Sequence, residues 1–189
     1  ATLDFGKINT NWKFLIENFI EPYHVQFVHK TTTNQPLKDH YTIVDGICYG
    51  SGVDVKQEDN KNSSALSVTS RYLSLFPNFI IGTYFPNQIG VYLNVPISPG
   101  VTSQKRTIYT TDGKDMSKEE SDIVKKIWWS VHKEDHEMCE RLQEGRLSPA
   151  SNQGGLLSPY WEKGVQKFQK LIIQATMKSS KTMKGKKNV

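Results

Sequence analysis

Cysteine is scarce in this chain. Of 189 residues only Cys48 and Cys139 carry thiols, and nothing in their spacing suits a metal knuckle. A disulfide framework is not indicated, and a reducing cytoplasm is the default compartment. Long apolar runs are missing as well. None approaches the ~20 residues that cross a bilayer, so a membrane is not an expected partner. The chain also lacks a basic stripe, despite a net charge of +5. Five lysines and no acid fall in "MKSSKTMKGKKNV", residues 177 to 189, and the body without them is neutral. That composition reads as a disordered, solvated tail, and it removes the case for a nucleic-acid partner. No internal repeat is visible. The start at Ala1, with neither methionine nor a signal-peptide pattern, reads as a processed or excised piece.

What remains is one globular unit over residues 1 to 176, long enough to bury a core. Residues 9 to 28 read as a helix: Trp12, Leu15, Ile16, Phe19 and Tyr23 recur at spacings of three and four. Asn9, Thr10 or Asn11 can supply the N-cap. Pro22 removes a helical N–H, so the helix is expected to kink or unwind there. From about residue 38 short runs rich in β-branched and aromatic residues alternate with Gly, Pro, Asn and Asp, the pattern of an antiparallel sheet. "QEDNKNSS" (57 to 64) reads as a turn or mobile loop. A helical period returns after Ser117, which forms a capping box with Glu120 and has a stop at Gly145. A final helix carries Trp161, Val165, Phe168, Leu171 and Ile172 on one face. The class is α+β.

The chemistry concentrates in "NWKFLIENFIEPYHVQFVH", residues 11 to 29. His24 and His29 are five apart, which on a regular helix separates them by roughly 140°. A break at Pro22, or an end just after His24, lets the second ring swing toward the first. Glu21 lies one turn before His24, and Asn18 one turn before that. An amide, a carboxylate and two imidazoles are costly to bury together unless they serve one another or a metal. A third ligand has five candidates on the long helix: His132, Glu134, Asp135, His136 and Glu137. Two histidines and one carboxylate leave open positions on iron(II), whereas structural zinc is usually closed by four ligands.

The first stretch resembles the iron-binding motif of the catalytic domain of Rieske-type non-haem iron oxygenases, N-W-K-x3-[ED]-N-x2-[ED]-x-Y-H-x4-H. "EDHEMCERLQEGRLS" is similar to that family's second motif, E-D-x4-E-x2-Q-x-G. The likeness implies a helix-grip fold, a curved antiparallel sheet packed around a long C-terminal helix. It also implies a mononuclear Fe(II) held by His24, His29 and Asp135, with Glu21 as the acid bridging to a neighbouring subunit's cluster. Asn18 matches an amide near the open iron face, and Tyr23 a tyrosine of the motif; Pro22 departs from the usual residue. The family's Rieske [2Fe–2S] centre takes C-x-H and C-x2-H, and neither pair occurs here. The cluster is therefore expected on a missing domain or a partner chain. Implied partners are that Rieske domain, a reductase or ferredoxin, O2 and a small organic substrate, in a homo-trimer. Trp128, Trp129, Tyr84, Phe85 and Tyr92 can form a pocket for a flat ring or a cage for a quaternary ammonium. The second motif's likeness to choline- and carnitine-type oxygenases favours the ammonium. Three other readings stay open: a metal-free helix-grip binding module, a zinc hydrolase using the same triad (though H-E-x-x-H is absent), and a structural or regulatory subunit.

Overall fold

The computed structural model describes residues 1–30, 32–33, 35–55 and 69–185. The loop expected over 57 to 64 lies outside them. Seven strands form one antiparallel sheet: β1 (Thr2–Ile8), β2 (His40–Asp45), β3 (Cys48–Val53), β4 (Ser70–Leu75), β5 (Phe79–Tyr84), β6 (Gln88–Ser98) and β7 (Val101–Thr110). Their order is β1-β7-β6-β5-β4-β3-β2, a meander with β1 added at the edge beside β7. In β5, β6 and β7 burial alternates along the strand in step with the register. Tyr92 pairs with Ile80 on one side and Arg106 on the other, and all three are buried. Tyr109, Leu93 and Phe79, on the opposite face, are exposed. No helix among the described residues is long and apolar enough to cross a membrane.

Among the described residues, four α-helices pack with the sheet: α1 (Trp12–Ile20), α2 (Tyr23–Val28), α3 (Lys118–Arg146) and α4 (Lys163–Gly185). Ile16 and Ile20 of α1 and Val165 and Phe168 of α4 pack on Tyr49, Ile80 and Tyr92 of the sheet. A second cluster joins Val124, Trp128 and Val131 of α3 to Leu3, Tyr84 and Ile108. Asn11 caps α1 by accepting the Lys13 N–H at 3.0 Å, and Ser117 with Glu120 completes the capping box of α3. The expected break around Pro22 is present, as an extended residue at Glu21 between α1 and α2.

Three boundaries differ from the sequence reading. Strand β1 was not expected; it holds an Asp and a Gly, bulges between them, and is fixed by pairing with β7. Gly145 does not stop α3, which runs through it to Arg146. Helix α4 continues past residue 176 to Gly185. Residues 177 to 184 contain no proline or glycine, and lysine is a good helix former.

Candidate metal centre

The end of α1 and the middle of α3 meet over the inner face of the sheet. Thr10 donates its hydroxyl to the Cys139 carbonyl at 2.9 Å. The N–H groups of Asn9 and Asn11 donate to Glu140 Oε1 and Gln143 Oε1, at 3.0 and 2.9 Å. Glu140 and Gln143 are the E-x2-Q of the second motif. Their work is to satisfy free backbone donors just before α1, which fixes one motif against the other.

At the break, Glu21 turns back on the next helix. Its carboxylate accepts the Tyr23 N–H in a short hydrogen bond and the His24 N–H at 3.3 Å, capping α2. Oε1 of the same carboxylate faces His24 Nδ1 at 2.8 Å. His29 follows the last residue of α2, and leaving the helix brings its ring to 5.1 Å from that of His24, at 78°. Asp135 comes from the buried stripe of α3, in phase with Val124, Trp128, Val131 and Cys139. Its Oδ1 is 3.1 Å from His29 Nε2 and 3.6 Å from His24 Nε2. One donor atom from each of the three residues lies within 4.8 Å of the others.

This donor set fits a metal ion. Ligand bonds of ~2.1 Å at right angles put neighbouring donors about 3 Å apart, close to the separations seen here. Each imidazole also has its outer nitrogen held by a carboxylate: Glu21 on His24 and, at 2.8 Å, Glu134 on His29. That pairing fixes the ring and leaves Nε2 facing inward. Thr32 Oγ1 donates to the same Glu134 oxygen at 2.8 Å. Asn18 donates its amide to Asp135 Oδ1 at 2.9 Å, so it orients the carboxylate and is not free. Tyr23 packs edge-on against Trp161.

The charges are arranged accordingly. Burial lowers the His29 pKa, but Asp135 and Glu134 outweigh it and raise the value to about 9 in the metal-free chain. Burial raises Asp135, and the two imidazoles more than reverse this, holding it well below the usual carboxylate range. His40, buried near the site, is pushed down to about 4, first by burial and then by His24. The signs give a prediction. The raised His29 value contributes stability that is full below about pH 6.5 and is lost as pH rises through about 9. The lowered His40 value acts oppositely, and its contribution is lost as pH falls from about 6.5 to about 4. Urea melts of the metal-free protein should therefore be most stable near pH 6.5, and His40→Phe should flatten the acid limb only. An unchanged acid limb in that variant would remove His40 from the account.

Beside the triad is a small cavity of about 40 Å³, walled by Phe19, Tyr72, Tyr84, Tyr92, Trp128 and Val131. At ~10–15 Å³ per water centre it holds a few waters, so a larger guest has to move side chains. Tyr72 donates its hydroxyl to Gln35 at 2.7 Å on one flank. Two residues of the expected aromatic pocket are elsewhere: Trp129 stacks on Phe5, and both it and Phe85 are more than half exposed. Phe19 and Tyr72 take their places. Glu134 was a candidate ligand by position. It sits behind His29, and Glu134→Gln should weaken metal affinity about 10-fold, measurable by competition with a chelator. An unaltered affinity would mean that the ring is fixed by other contacts.

The family model described as ring hydroxylating alpha subunit (catalytic domain) matches residues 2–177. Chloroplastic choline monooxygenase of Atriplex hortensis is 28% identical over 165 residues, covering 85% of this chain and 36% of the relative. The Spinacia oleracea protein of the same name is 24% identical over 177 residues, covering 90% and 39%. The chain thus spans under two fifths of the length of these relatives. Among solved structures, the quaternary ammonium Rieske monooxygenase CntA in complex with L-carnitine superposes with a TM-score of 0.68 at 18% identity, over 92% of this chain and 47% of that one. Dicamba monooxygenase bound to dicamba gives 0.72 at 16% identity, over 95% and 59%. At such identities the structural likeness speaks for the fold.

Proposed function

Because the chain belongs to the family of ring-hydroxylating alpha subunit catalytic domains, we propose that it is the oxygenating half of a Rieske-type enzyme acting on a small organic substrate by hydroxylation or N-dealkylation. The observation that carries this reading is the convergence of His24, His29 and Asp135 beside an aromatic-walled cavity. When bound, a mononuclear iron(II) would supply the reductive activation of O2. The chain's own residues do the rest. His24 and His29 present Nε2 and Asp135 presents Oδ1, from one side. Glu21 and Glu134 accept from the two Nδ1 atoms and keep the rings from rotating. Asn18 holds Asp135. The apolar wall places a substrate beside the ligands and excludes bulk water from it.

Glu21 is only slightly exposed, and a carboxylate bonded to a ligand's ring is suited to relay charge from a partner's cluster to His24. The Rieske domain, a reductase or ferredoxin, and a trimeric assembly complete the proposal. A metal-free binding module accounts less well for the site, since a buried carboxylate between two imidazoles is a costly way to line an apolar pocket. The test is anaerobic loading followed by elemental analysis. One iron per chain is expected, and within a cluster-bearing protein isotopically labelled O2 should pass its label to product. Failure to retain iron stoichiometrically would overturn the reading.

A further inference from the structure

Arg106 is among the largest side chains fully withdrawn from solvent. A buried guanidinium normally meets a carboxylate, because it stays charged at any physiological pH. Here none of the ion pairs among the described residues includes it. It leaves β7 and crosses Gly90 of β6, where a Cβ would come within 2.8 Å of Nη2. Next to Gly90 in the register is Gly82. A Cβ at Gly82 would come within 2.2 Å of the Tyr84 hydroxyl, so the Tyr84 ring lies over that glycine. The two glycines make a hollow in the sheet that accepts a guanidinium and a phenol ring side by side.

The guanidinium carbon then lies 3.5 Å from the Trp128 ring centroid, 4.4 Å from that of Tyr92 and 5.2 Å from that of Tyr84. Nη1 donates to His132 Nε2 at 2.9 Å. Among the described residues, Nε and Nη2 have no partner. Trp128, Tyr92 and Tyr84 are also walls of the cavity beside the triad. The aromatic faces that could cage an ammonium therefore already hold a cation belonging to the protein. A fixed positive charge stands directly behind the wall, and the lining has no acid except Asp135, which belongs to the triad. Glu21 and Glu134 stand behind the imidazoles, outside the lining.

We propose that Arg106 sets the charge selectivity of the cavity, so that the substrate carries an anionic group of the carboxylate class and a purely cationic quaternary ammonium is disfavoured. The inference rests on the oxygenase reading for the word substrate, but the selectivity belongs to the cavity with or without metal. It runs against the ammonium expected from the second motif. One unit charge a ring's thickness behind the wall, at an effective dielectric of ~20, changes affinity by on the order of tens of fold. The sign favours an anion and penalises a cation.

Four guests of one shape separate the possibilities: choline (cationic), 3,3-dimethylbutan-1-ol (neutral), 3,3-dimethylbutanoate (anionic) and trimethylglycine (zwitterionic). Their binding to the whole chain is measured by calorimetry and by Trp fluorescence, metal-free and anaerobically loaded with Fe(II). The anion should bind at least tenfold more tightly than the alcohol, the alcohol more tightly than choline, and trimethylglycine more tightly than choline. The order should hold in the metal-free protein. Arg106→Met, similar in length but uncharged, should erase the anion's advantage, and Arg106→Lys should keep part of it. Since Arg106→Met can unfold the chain, the wild-type ranking alone also decides. Choline at least as tight as the alcohol, an anion advantage seen only with iron present, or no binding by any of the four would overturn the proposal. Failure to load iron while the metal-free ranking holds would count against the oxygenase reading and leave the charge selectivity standing.

Discussion

Asp135→Ala is expected to abolish stoichiometric iron binding, with a loss of at least two orders of magnitude in affinity under anaerobic titration. Asp135 is the one anionic donor among the three converging residues, and its Oδ1 faces both Nε2 nitrogens, at 3.6 Å from His24 and 3.1 Å from His29. Without it two neutral imidazoles remain, and a hard divalent ion loses its charged partner. The metal-free variant should still fold. The same substitution that removes a buried carboxylate also removes the larger part of the attraction that keeps His29 charged, and Glu134 stays on the ring's other nitrogen, so no uncompensated ion is left at the centre. Asp135→Asn separates charge from shape, because it keeps the volume and leaves an oxygen for the Asn18 amide. It should lose most of the affinity that the alanine variant loses. Glu134→Ala provides the internal contrast, since removing a carboxylate that only orients His29 should cost about 10–100-fold. Full iron occupancy in Asp135→Ala, together with its loss in Glu134→Ala, would move the third ligand by one residue.

Much of this arrangement is legible in the sequence, and the remainder is hidden for identifiable reasons. The break at Pro22 and the meander follow from period and punctuation, which are local. The choice of Asp135 over Glu134 rests on family resemblance in the sequence, yet helix phase also carries it. Counting from Val124 through Trp128 and Val131 reaches Asp135 and then Cys139, an apolar stripe interrupted by one acid. Arg106 has no such signal. In "SQKRTIYT" it follows Lys105 and looks like one of two solvent-facing cations. Only register places Gln104, Arg106 and Ile108 on the inner face and Lys105 on the outer. Gly90, which makes room for it, is on the neighbouring strand β6, and Gly82, which makes room for Tyr84, is one strand further, so the hollow is a property of the sheet. Strand β1 is similarly non-local: its Asp and Gly argue against a strand, and pairing with β7 overrides them.

Under the proposed oxygenase function, residues 1 to 189 are expected to give little or no multiple-turnover product by themselves, because electron supply needs a relay. Each activation of O2 takes two electrons from outside, and an iron(II) centre gives up one readily. A Rieske relay needs two cysteines and two histidines at close spacing. Cys139 is buried with Ile8 and Leu15, its thiol pushed up by burial, and Cys48 is a free thiol at the start of β3. Neither has a histidine at the required spacing. The iron-loaded chain with O2, substrate and a dithionite-type reductant should therefore stop at about one turnover or less per iron. The same residues within a chain that carries the C-x-H and C-x2-H pairs should cycle when a physiological reductase donates electrons. The two forms should bind iron equally well, because the ligands and their orienting carboxylates are all on α1, α2, α3 and the residues flanking them. Equal metal content with unequal turnover assigns the difference to electron delivery and not to a damaged site. Sustained, coupled turnover by residues 1 to 189 alone would require another entry route for the second electron, and would remove the Rieske partner from the proposal.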